Sequence, residues 1–306
     1  MCKYKFEIYE LLLRAEYFIL LHTFHMRTVL ITGCSSGFGY LMALIFARNG
    51  YHVIACVRDI KSYGAKKLRQ TAVQEKVTID VIHLDITRDE TIKKALSRAP
   101  NIDILINNAG YGYLGLIEET PIVDFKKIYD TNVLGTIRMV QAIVPIMRKQ
   151  GNGLIINFSS INGIVPFPLF SIYSSTKFAI ETLTEGLRFE LKPFGIQVVM
   201  VEPGSYVTNF SKNRVEQTGL RRSKSPYKKL ITNFFNRYTQ THAADVKGIS
   251  KVADPQELAE AVYKIAQTNN PKLRYRVGLD AHKYFYIRKF LPFFVWEKIL
   301  RKTYEW

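Results

Sequence analysis

Residues 27–39 read RTVLITGCSSGFG, and this stretch decides the fold. The β-branched and aliphatic run 27–32 predicts a buried parallel strand, and the pattern of Leu41–Arg48 predicts a helix. The glycine-rich turn between them would hold the unpaired amides and the positive dipole end of that helix against a pyrophosphate. Its spacing is T-G-x-x-x-G-x-G rather than the dinucleotide fingerprint G-x-G-x-x-G. Taken alone, the turn therefore has two interpretations, a phosphate site or a glycine turn that only caps a helix.

The second predicted strand, Val53–Val57, ends at a position that bears on the choice of nucleotide. An acid there would bind the ribose 2′-hydroxyl, whereas in this chain Arg58 follows the strand. A guanidinium suits a 2′-phosphate through charge-assisted bidentate hydrogen bonds. Asp59 is the alternative, as the ribose-binding acid displaced by a residue or two, and Arg58 could also be a solvated surface charge. The pattern favours NADP(H), with NAD(H) left open.

The rest of the chain alternates strands with helices, and each strand ends in polar or glycine-containing residues. The later predicted strands are Val77–Leu84, Ile102–Ile106, residues 153–158 and Ile196–Val201. They run into Asp85, NNAG (107–110), Ser159-Ser160 and EPG (202–204) respectively. Right-handed crossovers place the carboxyl ends of parallel strands along one side of a sheet. The predicted fold class is therefore α/β, a Rossmann-type doubly wound parallel sheet in three layers that forms a single domain.

These motifs, together with TNVLG (131–135) and YSSTK (173–177), closely resemble the short-chain dehydrogenase/reductase family in content and order. The resemblance covers roughly residues 27–278 and is nearest to the retinol and 17-beta-hydroxysteroid dehydrogenase branch. Y-x-x-x-K by itself carries little weight, since Tyr63 and Lys67 form a second copy without partner motifs. The resemblance implies an NAD(P)-dependent oxidoreductase that acts on CH–OH groups.

Tyr173 and Lys177 are four residues apart, so on a helix they share one face. A nearby ammonium favours a phenolate, and we expect it to lower the tyrosine pKa from about 10 towards working pH. Tyr173 is then the general acid for carbonyl reduction and the general base for alcohol oxidation. The resemblance adds three roles: Ser160 binds the substrate oxygen, Lys177 holds the nicotinamide ribose, and Asn132 holds a water in a proton relay.

The resemblance also assigns the cofactor contacts residue by residue. Besides Arg58, Tyr173 and Lys177, they are Gly33, Ser35, Gly37, Phe38 and Gly39 at the phosphates, Asp85 at the adenine, Asn108, Ala109 and Gly110 beside the ribose, and Pro203, Gly204 and Thr208 at the nicotinamide. Other interpretations remain for some of these: Asn108 as a strand-end turn former, and Asp85 or Thr208 as helix caps. No metal site is expected, because the cysteine and histidine spacings match no metal motif.

The net charge of +17 and the isoelectric point of about 9.7 would suit nucleic acid, an anionic membrane or a phosphorylated ligand. The location of the charge separates these options. Residues 209–251 carry ten basic against two acidic residues, and residues 281–306 carry six against two. We interpret 209–251 as a basic substrate lid whose aromatic residues could close over an apolar ligand, the alternative being a solvated helical pair. Tyr111 and Tyr113 are candidates for the pocket floor.

Both ends of the chain fall outside the predicted catalytic domain, 26–278. Residues 1–25 are partly apolar but interrupted by charges, which indicates an amphipathic helix or an upstream start misread rather than a membrane span or secretory signal. Residues 279–306 form a cationic, aromatic tail, with two helical stretches broken at Pro292 in 281–306. Three alternatives stand for this tail: peripheral membrane contact, closure of the substrate pocket, or plain packing with lysines extending outward.

The leading hypothesis is an NADP(H)-dependent oxidoreductase that interconverts an alcohol and its ketone or aldehyde on an apolar, steroid-, retinoid- or lipid-like substrate. The competing hypothesis is a catalytically silent nucleotide-sensing or nucleic-acid-binding protein on the same fold. The intact Ser–Tyr–Lys–Asn set and the lack of any nucleic-acid-binding signature disfavour it. We expect no nucleic acid partner, a cytoplasmic location with membrane association as an alternative, and a homo-oligomer as one option for assembly.

Overall fold

The computed structural model of the chain describes residues 26–97, 99, 101–206, 213–221, 225–246 and 253–305, with side chains described up to residue 237 in the stretch 225–246. The predicted extension 1–25, Thr208 and parts of the lid therefore lie outside the described residues. The part of the chain that is described folds around one seven-stranded sheet.

The strands of this sheet are β1 (Thr28–Thr32), β2 (His52–Val57), β3 (Ile79–His83), β4 (Ile104–Asn107), β6 (Gly153–Phe158), β7 (Ile196–Pro203) and β9 (Arg274–Val277). All their pairings are parallel, in the order β3-β2-β1-β4-β6-β7-β9. A separate parallel pair joins β5 (Tyr113–Leu114) to β8 (Val215–Glu216). The predicted doubly wound sheet is confirmed, and β5, β8 and β9 are additions that the sequence pattern did not indicate.

Strand residues alternate between two apolar layers, as a sheet covered on both faces requires. In β1, Val29 and Ile31 belong to one buried cluster, and Leu30 belongs to the cluster on the opposite face. One layer is supplied by α1 (Gly37–Arg48), α2 (Tyr63–Glu75) and α8 (Pro255–Ala266), and the other by α3 (Asp89–Leu96), α5 (Gly135–Gln150) and α6 (Ser171–Leu191). The remaining described helices, α4 (Ile122–Tyr129), α7 (Lys228–Val246), α9 (Leu279–Phe290) and α10 (Phe293–Tyr304), pack in smaller clusters. The three-layer prediction is therefore confirmed.

Strand order reverses between β1 and β4, because the chain builds outward to β3 first and then crosses to the other side. Ligands of open α/β sheets bind at the carboxyl ends of the strands at such a reversal. The glycine turn after β1 and the NNAG motif after β4 lie at this point. The predicted break at Pro292 is also confirmed, since α9 ends at Phe290 and α10 begins at Phe293.

Candidate active site

The turn after β1 brings the helix α1 N-terminus to the reversal point. Its N-cap, Ser36, makes no side-chain capping bond, and the first turn contains no acidic residue. The first amides of this helix are thus available to an anion. Gly39 explains the motif spacing, because a Cβ there would lie 2.3 Å from the Gly33 carbonyl oxygen. The turn can fold this tightly only without that side chain.

Thr32 braces the two loops that face each other across the reversal. Its hydroxyl accepts hydrogen bonds from the backbone amides of Asn108 and Ala109, both at 3.0 Å. The Asn108 side chain returns a bond to the Thr32 carbonyl oxygen at 2.8 Å. Asn108 is therefore more than a turn former, since it fixes the spacing of the two loops.

A cleft of about 840 Å³ opens between these loops. Nine predicted cofactor residues line it: Gly33, Ser35, Gly37, Phe38, Arg58, Asp85, Asn108, Ala109 and Gly110. Gly39 lies beneath the turn instead. The lining includes three glycines and the first residues of α1 with their unpaired amides, so these residues fit a dinucleotide.

Arg58, Asp59 and Asp85 all line the same cleft, so both the arginine and its acidic neighbour are placed to meet a ribose. Burial acts to raise the pKa of Asp85, but hydrogen bonds from Thr87 and the charges of Arg58 and Arg88 outweigh it and leave that pKa lowered. Asp85 accepts from the Thr87 backbone amide at 3.0 Å, whereas Arg88 is the N-cap of α3. The helix-cap alternative for Asp85 is therefore wrong.

Helix α6 presents Tyr173, Lys177 and Glu181 on one buried face, each four residues after the last. Lys177 Nζ lies 5.8 Å from the centre of the Tyr173 ring and donates a hydrogen bond to the Phe158 carbonyl oxygen at 2.8 Å. The side chain of Ser160, two residues beyond β6, hydrogen-bonds to Tyr173. Three of the four predicted catalytic residues are thus brought together.

The expected lowering of the Tyr173 pKa is wrong for this arrangement. Burial raises the pKa of Tyr173 above its ordinary value of 10, and only the hydrogen bond from Ser160 acts to lower it. Burial also lowers the pKa of Lys177 to about 8, against the charge of Glu181, which raises it. Near neutral pH the pair therefore consists of a neutral phenol beside an ammonium.

Asn132 lies in a π-helical turn, Asp130–Leu134, that joins α4 to α5. Its side chain accepts from the Tyr111 amide at 3.1 Å and donates to the Tyr111 carbonyl oxygen at 3.0 Å. It also donates to the Thr176 hydroxyl at 3.2 Å, next to Lys177. Asn132 therefore connects a residue that lines the cleft to helix α6.

Pro203 and Gly204 do not line this cleft: β7 ends at Pro203 and runs into Gly204. The Gly204 amide donates to the Val277 carbonyl oxygen at 2.9 Å, and Asp280 accepts from the Ser205 amide at 2.7 Å. A Cβ at Gly204 would lie 1.8 Å from an Asp280 carboxylate oxygen. Asp280, which sequence reasoning missed, thus holds this loop in place.

A cluster of charges in which Glu181 and Glu202 are buried was also missed. Arg274 on β9 bridges the carboxylates of Glu181 and Glu185 on α6 and reaches Glu202 of β7 at 2.8 Å. Arg276 lies 2.8 Å from the other Glu202 oxygen without hydrogen-bond geometry. Burial, followed by the charge of Glu202, raises the pKa of Glu181 to about 7. The cluster ties the catalytic helix to the strand that leads into Pro203.

The described part of the lid packs as an apolar cover rather than as a solvated pair of helices. Leu220, Leu230 and Phe234 are buried against Leu114 and Leu169. Pairing of β8 with β5 anchors the start of the lid.

Polar contacts tether the lid further. Its Ser225 donates to Glu119 at 2.8 Å, and Arg214 and Arg221 both pair with Glu216. Part of its basic surplus is therefore neutralised internally.

Aromatic residues connect this lid to the candidate catalytic tyrosine. The Phe170 ring lies 6.3 Å from the Tyr173 ring and 6.0 Å from the Phe234 ring. Tyr113 is buried in the cluster around Tyr173, and Tyr111 lines the cleft.

Within the described residues, no group of three or more metal-ligating side chains occurs.

Comparison with known proteins gives one family and a consistent set of relatives. The short chain dehydrogenase family model matches residues 27–219. An uncharacterised oxidoreductase of Bacillus subtilis, YusZ, is 38% identical over 90% of this chain and 98% of its own length. Retinol dehydrogenase 8 of Bos taurus is 32% identical over 82% of this chain and 81% of its own length. The 17-beta-hydroxysteroid dehydrogenase type 1 of Mus musculus is 30% identical over 86% of this chain and 74% of its own length.

Solved structures agree with this set. A short-chain dehydrogenase from Streptomyces avermitilis superposes with a TM-score of 0.73 at 31% identity, covering 91% of this chain and 99% of its own. The structure of ElxO with NADP bound superposes with a TM-score of 0.64 at 28% identity, covering 82% of this chain and 97% of its own. A 3-ketoacyl-(acyl-carrier-protein) reductase from Brucella melitensis complexed with NADH superposes with a TM-score of 0.65 at 26% identity, covering 82% of this chain and 96% of its own.

Proposed function

The chain belongs to the short-chain dehydrogenase family, in its retinol and 17-beta-hydroxysteroid dehydrogenase branch, and is an oxidoreductase that acts on CH–OH groups. From this we propose that it interconverts an apolar alcohol and its ketone or aldehyde with NADP(H). The observation that carries the proposal is the buried set of Ser160, Tyr173 and Lys177, which Asn132 connects to the cleft through its bonds to Tyr111 and Thr176. The cofactor, when bound, supplies or accepts the hydride.

Tyr173 is proposed as the group that transfers the proton. Its raised pKa keeps the phenol protonated at neutral pH, which suits donation to a substrate carbonyl oxygen. Ser160 already hydrogen-bonds to Tyr173, so a carbonyl oxygen placed between them would take donors from both. Preorganised donors stabilise the negative charge that develops on this oxygen during reduction.

Lys177 and Asn132 are proposed to replace the proton that Tyr173 gives up. The Lys177 ammonium would stabilise a phenolate formed at Tyr173 and would hold the nicotinamide ribose. Asn132 would hold a water between the ammonium and solvent, and its bond to Thr176 keeps its side chain at that point of α6.

The proposed preference for NADP(H) is supported by the position of Arg58 in the cleft. A 2′-phosphate would gain charge-assisted bonds from this guanidinium. Asp59, on the same wall, would instead favour the free 2′-hydroxyl of NAD(H). Measured affinities for the two cofactors therefore decide between the two side chains.

The proposed apolar substrate is supported by the apolar packing around Tyr173. The Phe170 and Phe234 rings, with Leu114, Leu169 and Leu230, form a continuous apolar cluster between the phenol and the lid. Burying a bulky hydrocarbon against such side chains gains free energy in proportion to its apolar area. A polar substrate would find few hydrogen-bond partners among them.

The test is a screen of hydrophobic ketones, aldehydes and alcohols with both cofactors, following the absorbance of the reduced nicotinamide. We expect turnover on bulky apolar carbonyls with NADPH. Cofactor binding without turnover on any member of the panel would instead support a nucleotide-sensing protein.

Assembly and location complete the proposal. Phe178, Leu183 and Phe189 are exposed on α6 and suit packing against a second copy of the chain. We place the protein in the cytoplasm, since the buried free thiols of Cys34 and Cys56 need no oxidising compartment. None of the helices among the described residues is long and apolar enough to cross a membrane.

A further inference from the structure

The junction between α9 and α10 exposes three phenylalanine rings. Phe290, Phe293 and Phe294, which we call the aromatic elbow, have exposed fractions of 69%, 61% and 70%. They surround Pro292, where the chain turns from one helix into the next. Tyr286 is also exposed and stacks on Phe290 with ring centres 6.2 Å apart. Apolar rings grouped at one surface point usually mark an interaction site.

The two helices hold the aromatic elbow on a rigid base. On their inner faces, Tyr284 and Trp296 pack edge-on against Phe167. At the far end of α10, the Tyr304 ring stacks on Phe234 of the lid, 5.8 Å between centres. The elbow rings are therefore not core residues that lack a partner, because the core-facing side of each helix is already filled.

Cations lie directly beside the exposed rings. Arg288 is 5.7 Å from the centre of the Phe293 ring, and Lys289 is 5.5 Å from the centre of the Phe290 ring. The nearby acid Glu297 is paired with Arg301 at 2.9 Å and so does not neutralise Arg288 or Lys289. The elbow therefore combines apolar rings with net positive charge.

This combination fits an anionic lipid surface better than a second copy of the chain. In a two-fold contact the same patch meets itself, so the two Arg288–Lys289 pairs would be brought into one interface without an added acid to balance them. At a membrane the rings enter the boundary between headgroups and acyl chains while the cations remain at the anionic headgroups. We propose that the aromatic elbow docks the protein peripherally on anionic membranes. This inference does not depend on which substrate the enzyme uses.

The test is co-sedimentation of the full chain with large unilamellar vesicles of phosphatidylcholine alone or of phosphatidylcholine with about 30% phosphatidylserine. We expect binding to the anionic vesicles that weakens at high salt, because each cation near the surface contributes about fivefold to the partition coefficient. The triple variant Phe290→Ser/Phe293→Ser/Phe294→Ser should lower the partition coefficient by at least about tenfold, and Arg288→Gln/Lys289→Gln should lower it by about 25-fold.

Matched controls separate the elbow from general surface properties. Tyr63→Ser/Val73→Ser removes two exposed apolar side chains from α2, and Lys93→Gln/Lys94→Gln removes two exposed cations from α3. Both should bind vesicles like the parent chain, and all variants should keep its melting temperature within a few degrees.

Three results would overturn the proposal. The first is no binding to anionic vesicles, or equal binding to neutral ones. The second is an equal loss in the control variants. The third is a change of oligomeric state in the triple variant without a loss of vesicle binding, which would make the elbow a contact between copies.

Discussion

Lys177 and Glu181 lie one helical turn apart on the buried face of α6, and their charges act on each other inside the protein. Burial lowers the pKa of Lys177 to about 8 while Glu181 opposes that shift. The carboxylate is in turn held by Arg274. The ionisation of the candidate catalytic lysine thus depends on a carboxylate that is itself held by an ion pair.

The first prediction tests the proton donor. Tyr173→Phe should lower kcat by about 10²–10⁴-fold, the usual contribution of general acid catalysis, with the affinity for NADPH nearly unchanged. Steady-state rates and cofactor titration by fluorescence measure the two effects. Tyr63→Phe is the control, since it belongs to the second Y-x-x-x-K copy and is exposed on α2. Equal rates for the parent and Tyr173→Phe would refute the assignment.

The second prediction concerns the alkaline limb of the pH–rate profile. The rate of carbonyl reduction should fall as pH rises through about 8, because the Lys177 ammonium is then lost. Glu181→Gln removes the charge that raises the Lys177 pKa, so the limb should move to lower pH. Glu190→Gln, exposed on the same helix, should leave it in place. A limb that does not move in Glu181→Gln would show that the carboxylate has only a structural role.

The third prediction concerns cofactor choice. Arg58→Ala should weaken NADPH binding by about 10- to 100-fold, the worth of hydrogen bonds to a charged group, and leave NADH almost unaffected. Arg88→Ala removes the same charge near Asp85 but outside the cleft lining, and should change neither affinity much. Equal losses for both cofactors in Arg58→Ala would exclude a 2′-phosphate contact.

The fourth prediction concerns stability. Arg274→Met removes the partner of three carboxylates, and Glu202 is fully buried. The free energy of unfolding should fall by about 3 kcal/mol. This is at the lower end of the range for a broken buried ion pair, because Arg276 stays near Glu202. Arg48→Met, which breaks a surface pair with Glu75, should cost under about 1 kcal/mol. Denaturant unfolding compares the two variants, and similar losses would contradict the prediction.

The pH dependence of this stability has a definite sign. Glu181 has a pKa of about 7 in the fold against an ordinary 4.5, so the folded state binds more protons in that interval. Its contribution therefore makes stability fall as pH rises from about 4.5 to 7. Glu181→Gln should flatten this part of the curve, as thermal unfolding across that range would show.

The motif order predicted much of the site, because parallel strands deliver their carboxyl-terminal residues to one place. Asn108 and Asp85 were found this way, and both line the cleft. Arg274 could not be found, since its partners lie about 70 to 95 residues earlier in the chain. The direction of the Tyr173 pKa was mispredicted for a related reason. Residue spacing reports a neighbouring charge, whereas desolvation depends on everything packed around the ring.

The pair β5–β8 joins the two halves of the site into one ribbon. On one side, Val215 of β8 and Tyr111, just before β5, line the dinucleotide cleft. On the other, Leu114 of β5 belongs to the apolar cluster under the lid. A ligand on one side that fixes the position of this ribbon also fixes the residues that it presents on the other side. Cofactor and substrate should then show positive cooperativity, each raising the other's affinity by the same factor, which titrations in both orders measure.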